Sequence, residues 1–203
     1  SLPNAVLYKM LDHARFAPSG GNRQGGRVII VRNQATKDEM ARLAESASKR
    51  YAAQVAAGES PWNAVMPSGV SDEVIEKTPV PALLTEPLRR ADVLLIFVVD
   101  LRVVAATDQS LGRVGIVGGA SIYPLAWNTL LAARRAGFGG TLTTISVASE
   151  PQVKTLLDIP APFAIAAVLP LGRPVKQLTR LRRLSVEDFT FTERFGGECL
   201  SSN

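Results

Sequence analysis

Between Asp92 and Asp100 the chain carries an unbroken apolar run, Val93-Leu94-Leu95-Ile96-Phe97-Val98-Val99. Successive strand side chains point to opposite faces, so a run with no polar position makes both faces apolar. Such a strand belongs in the middle of a sheet covered above and below, which dictates much of the fold around it. The run is far shorter than the roughly 20 residues of a membrane span, and no other run approaches that length. A chain of 203 residues, 46% hydrophobic and 20% charged, can bury a sizeable core of its own.

Around this strand the pattern alternates helices and strands. Leu7, Met10, Leu11 and Ala14 recur at helical spacing and predict a helix over about Pro3 to Phe16. Arg27 to Val31 reads as a short buried strand. Thr36 and Glu39 form a capping box for a helix carrying Met40, Leu43, Ala47, Tyr51 and Val55, which Gly58 ends. From Glu59 to Arg90 the pattern loosens, with prolines at 61, 67, 79, 81 and 87. A stretch this long is expected to be a lid, a binding loop or a mobile excursion, placed at about 51–90. A long helix is expected over Gly115 to Ala136, with Pro124 marking a kink or restart and Gly137 as its cap. Ser149 and Gln152 form a second capping box, and Phe163 to Leu169 a further strand. The reading is one α+β domain over residues 1–203.

Several chemistries are set aside at once. The only histidine is His13, on the outer face of the first helix, so no triad with another histidine can form. The only cysteine is Cys199, near the end, which suits a reducing cytoplasm and offers no disulfide framework. There is no C-x-x-C, no H-E-x-x-H and no acidic calcium loop, and no metal is expected. Gly112-Arg113-Val114-Gly115-Ile116-Val117-Gly118-Gly119 lacks the Lys-Ser/Thr pair of a P-loop and reads as close packing at the start of the long helix. The net charge of +5 favours anionic partners in general. Its basic residues are scattered apart from Arg180-Leu181-Arg182-Arg183 and are not interleaved with aromatics, so neither nucleic acid nor a membrane is an expected partner. A chain so poor in reactive side chains points to chemistry borne by a cofactor.

Three segments give that idea a shape. The first is Ala17-Pro18-Ser19-Gly20-Gly21-Asn22-Arg23-Gln24, small residues beside hydrogen-bonding ones between a helix and a strand. The second is the long helix followed by Gly137-Phe138-Gly139-Gly140-Thr141-Leu142-Thr143-Thr144. The third is Pro170-Leu171-Gly172-Arg173-Pro174 with the later pair Arg182-Arg183. In this order they resemble the A-P-S-x-x-N-x-Q loop, the G-[LF]-G-x-x-L-T-T turn and the P-L-G-x-P strand end of the nitroreductase family.

The resemblance implies a nitroreductase-like central mixed sheet with helices on both faces, and a homodimer with two FMN sites built from both subunits. It places Pro18, Ser19, Gly20, Asn22 and Gln24 against the flavin ring and ribityl chain. Gly139, Gly140 and Thr141 would lie beside the flavin N5, and Arg182 and Arg183 would hold the phosphate. It further implies ping-pong passage of hydride from NADH or NADPH, by way of the flavin, to a nitroaromatic, a quinone or a similar electron-poor acceptor. A flavin-nucleotide binding or storage protein without turnover is the alternative. Specialised flavin chemistry, such as dehalogenation or flavin fragmentation, is a further reading. Two departures stand out. The family loop continues Q-P-W where this chain has Gly25-Gly26, and the family's arginine-rich start has no counterpart before Arg15. Either that segment lies outside these residues or phosphate binding rests on the C-terminal arginines.

Overall fold

The computed structural model describes residues 1–201; Ser202 and Asn203, the last two residues of the expected domain, lie outside the described residues. Its centre is the apolar run, which forms β2 (Val93–Asp100). The neighbours of β2 are β1 (Gly26–Val31) on one side and β4 (Phe163–Gly172) on the other, with the two-residue β3 (Gly139–Gly140) beyond β4. Val93, Leu95, Phe97 and Val99 face a layer made by α1 (Asn4–Ala14) and α6 (Tyr123–Arg135), where Leu7, Met10, Ile122, Ala126 and Ala133 are buried. Leu94, Ile96 and Val98 face the opposite layer, built from α2 (Gln34–Leu43), α5 (Ala82–Arg90) and α7 (Glu150–Leu156) through Met40, Ala41, Leu88 and Val153. The two-sided strand therefore sits between two helical layers, as its side-chain period requires.

The α+β architecture agrees with the sequence, and the strand pairing differs from it in detail. Among the described residues every pair in the sheet is antiparallel rather than mixed: β1 with β2, β2 with β4, and β3 with β4. The helical connections bring the chain back at the end of the sheet from which it left, so each strand runs against its neighbour. β1 is half-buried rather than buried. It forms the rim of the sheet, where Arg27 is exposed and Ile30 stays 47% exposed.

Helix boundaries shift for local reasons. Asn33, not Thr36, caps α2: its side-chain oxygen accepts from Thr36 N at 3.0 Å, while Glu39 pairs with Arg42. The expected single helix breaks at Ala44 into α2 and α3 (Glu45–Ala56). Pro124 stands in the first turn of α6, where a missing N–H costs nothing, so it starts the helix rather than kinking it. The Ser149 hydroxyl donates to the Leu43 carbonyl at 2.8 Å and does not cap α7. The loose stretch after Gly58 contains α4 (Asp72–Lys77), capped by Ser71, and α5. Lys37, itself buried, donates to the Ala91 carbonyl at the end of α5 at 2.8 Å, a cation where the helix dipole favours one. From Arg173 to Ser201 the chain runs mostly exposed and without helix or strand. Among the described residues no helix is long and apolar enough to cross a membrane, and no group of three or more metal-ligating side chains comes together.

Candidate functional site

The loop after α1 is held in a conformation that ordinary residues avoid. Gly21, Asn22 and Gln24 have φ of 60°, 53° and 50°, the left-handed region that favours glycine. Two hydroxyls fix it: Ser19 Oγ accepts from Gln24 N at 2.9 Å, and Ser121 Oγ accepts from Gly20 N at 3.2 Å. Among the described residues the Asn22 side-chain amide, exposed at the crest of the loop, has no hydrogen-bond partner. A strained loop presenting a free amide is what a ligand clamp offers. Arg15, Pro18, Ser19, Gln24, Arg27 and Ser121 surround a cavity of about 190 Å³ at its base. The departure Gly25-Gly26 has its own reason: a Cβ on Gly25 would meet Val103 at 2.5 Å, and one on Gly26 would meet Ile122 at 2.9 Å. Side chains of this protein already fill the space there.

Ser121 is in turn placed by a residue that no local pattern identified. Asp108 is buried, and one of its oxygens accepts from Ile116 N at 2.7 Å, Val117 N at 3.2 Å and Arg113 Nη1 at 2.9 Å. These bonds close the Gly112–Gly119 segment onto Asp108 and launch the 3₁₀ turn Val117–Ser121 that leads into α6. The backbone donor of Ile116 foremost, with Arg113 and Val117, lowers the Asp108 carboxyl from 3.8 to about 2, against the opposing effect of burial. A carboxyl depressed in the folded state stabilises it above its ordinary range, and that stabilisation fades as pH falls towards 2. Asp108→Asn is therefore expected to melt at a lower temperature than the wild type at pH 7. The difference should narrow as pH falls from about 4 towards 2, read by circular dichroism. A difference that stays constant over that range contradicts this role.

The glycine turn lies at the other end of α6. Gly137, with φ of 80°, ends the helix. Gly139 and Gly140 then pair with Gly172 and Leu171 of β4. Gly140 has a packing reason independent of any ligand, because a Cβ there would drive into the Pro170 carbonyl and the Leu171 side chain. Thr141 is exposed, and Thr143 bridges to Val168. Arg182 and Arg183 lie exposed on the C-terminal tail, and among the described residues neither pairs with an acid. Among the described residues the Arg183 guanidinium bonds only the Arg182 carbonyl, at 2.6 Å.

Within one chain these groups stand apart. The Pro18–Gln24 loop touches Ser121, just before α6, and the Gly139–Thr141 turn follows the end of α6. Thirteen residues of helix separate those ends by about 20 Å. The sheet gives a similar span. Gly26 is level with Ala164 through Val99, whereas Gly140 is level with Leu171, about 23 Å along β4. The structure thus keeps Ser19, Gly20, Asn22 and Gln24 together at one end and Gly139, Gly140 and Thr141 together at the other. His13 lies outside both groups, exposed on α1 with its ring Nδ1 2.6 Å from the Lys9 carbonyl oxygen.

Comparison with known proteins agrees with this fold. The chain superposes on oxidised iodotyrosine deiodinase bound to FMN and 3-iodo-L-tyrosine with a TM-score of 0.66 and 20% identity, covering 95% of this chain and 89% of the other. A BluB-like flavoprotein from Clostridium difficile 630 gives 0.68 at 17% identity, covering 96% and 91%. The NADPH:FMN oxidoreductase from Vibrio harveyi, complexed with NAD+, gives 0.63 at 17% identity, covering 95% and 69%. No curated protein matches by sequence. The profile of the nitroreductase family matches residues 1–173, and the chain belongs to that family.

Proposed function

We propose that the protein is an FMN-dependent oxidoreductase that works as a homodimer, with each flavin site built from both chains. One observation carries this reading: the free amide of Asn22 and the Gly139–Thr141 turn sit at opposite ends of α6. A two-fold pairing sets the loop of one copy beside the turn of the other, and does so twice. The surface supports such a pairing. Tyr123, Trp127 and Leu131 form an i, i+4, i+8 stripe along α6 and remain 40%, 57% and 51% exposed. Between α1 and α6 lies a groove of about 560 Å³ with an apolar floor of Val6, Met10, Leu131 and Ala132 and with Lys9, His13, Asn128 and Arg135 also lining it. Tyr8, Phe16 and the tail residues Phe189, Phe191 and Phe195 are exposed as well. Apolar surface on this scale marks an interface.

In this reading the Asn22 amide offers a donor and an acceptor to the pyrimidine edge, and Ser19 fixes the loop that carries it. Gly139, Gly140 and Thr141 form the wall beside the reacting edge, where backbone donors stabilise developing charge. Arg182 and Arg183, without an acidic partner among the described residues, bind the phosphate. Bound FMN supplies the two-electron chemistry between NADH or NADPH and an electron-poor acceptor. The single exposed Cys199 fits a cytoplasmic setting. The test is steady-state NADH and NADPH oxidation by FMN-loaded protein with a nitroaromatic, a quinone and ferricyanide. Turnover with at least one acceptor is expected, and bound flavin without turnover would replace this reading with a storage role.

A further inference from the structure

Beside the glycine turn lies a cavity with aromatic walls and no charged side chain. Tyr51 of α3, Pro61 and Trp62 from the loop after it, Leu84 of α5 and Leu142 to Thr144 line a space of about 580 Å³, the size of a small-molecule site. Trp62 holds a φ of 54°, which a bulky side chain adopts only where its surroundings impose it. Two groups hold it. The buried Gln54 side chain accepts from Trp62 N at 3.2 Å, and the Arg50 guanidinium stacks 4.3 Å from the indole ring centroid. Arg50 Nε is buried with no hydrogen-bond partner among the described residues, and its guanidinium lies against the indole.

Trp62 also lines a second cavity of about 230 Å³, and there the charges are found: Arg50, Asp72 and Glu76. The indole is therefore a partition, with ionic groups in one cavity and none in the other. An ionised acceptor entering the uncharged cavity would shed water and find no counter-charge. A flat neutral ring would stack on Trp62 and Tyr51. The geometry points to Trp62 as the specificity-determining wall of the acceptor pocket, selecting neutral, planar aromatic oxidants over anionic ones. For a quinone the reaction balances as hydride from NAD(P)H plus one proton from water, giving hydroquinone and NAD(P)+. This inference rests on the flavin reading, since Leu142 to Thr144 continue directly from the turn assigned to the flavin, and it names the acceptor class for that site.

The experiment compares wild type, Trp62→Ala and Trp62→Phe, all FMN-loaded. Equilibrium dialysis without NAD(P)H measures binding of 1,4-naphthoquinone and of its 2-sulfonate, and turnover is followed with naphthoquinone and with ferricyanide. Wild type is expected to bind the neutral quinone about tenfold or more tighter than the sulfonate. Trp62→Ala should lose about tenfold in quinone affinity and raise its KM similarly, with Trp62→Phe restoring most of the loss. Equal quinone binding by wild type and Trp62→Ala, or a preference for the sulfonate, overturns the inference even where ferricyanide turnover upholds the flavin reading. If neither ferricyanide nor naphthoquinone is turned over, the oxidoreductase reading fails, and the dialysis still decides whether Trp62 selects neutral rings.

Discussion

A chain carrying Ser19→Ala and Asn22→Ala, and a second chain carrying Thr141→Trp, are each expected to purify without flavin. Co-expressed, they are expected to recover about one quarter of the wild-type flavin content. The first change removes the hydroxyl that receives Gln24 N and the free amide at the crest of the loop. The second places bulk on the exposed residue that follows β3. Random pairing makes about half of the dimers mixed, and each mixed dimer joins one intact loop to one intact turn while its other site is doubly damaged. Recovery is measured by absorbance near 450 nm against protein. A site built within one chain would recover nothing, because every chain in the mixture is defective. The 20 Å scale of α6 is the physical ground for expecting recovery.

Replacing Arg182 and Arg183 together by alanine is expected to weaken FMN binding about a hundredfold or more. A charge-assisted hydrogen bond contributes about 1.5–3 kcal/mol, and each 1.4 kcal/mol is about tenfold in affinity. Riboflavin, which lacks the phosphate, separates this role from a general disturbance of the tail. Its affinity should be the same for wild type and variant, as read by quenching of flavin fluorescence. Equal losses for FMN and riboflavin would assign the pair a structural role instead. The exposure of both side chains and their lack of acidic partners among the described residues leave their charge available to a phosphate.

What could be read from the sequence follows from how local each signal is. The position of β2 was legible because seven apolar residues with no polar interruption leave a strand only one place, between two covered layers. The edge position of β1 was not, since Val28 to Val31 looks the same whether one neighbour or two supply its hydrogen bonds. Caps are ambiguous in sequence where two candidates compete: Asn33 lies three residues before Thr36 and takes its N–H, and the Ser149 hydroxyl is drawn away to the Leu43 carbonyl, distant in sequence. Asp108 carries no sequence signal because its bonds close a loop onto backbone groups eight and nine residues later, a pattern without period. Trp62 was hidden in a proline-rich stretch, and only the fold sets it between Arg50 and the residues after the glycine turn. The loop and turn motifs were each visible, but neither contains the distance between them.

The most direct test of the account is sedimentation velocity of the FMN-loaded, dialysed protein, recorded at 280 nm and at 450 nm. The account predicts that absorbance at 450 nm travels with a species of about twice the 21.7 kDa chain mass, with about one flavin per chain. Flavin travelling with a species of the single-chain mass would show that one chain completes the site alone, and would contradict the proposal that both chains build it.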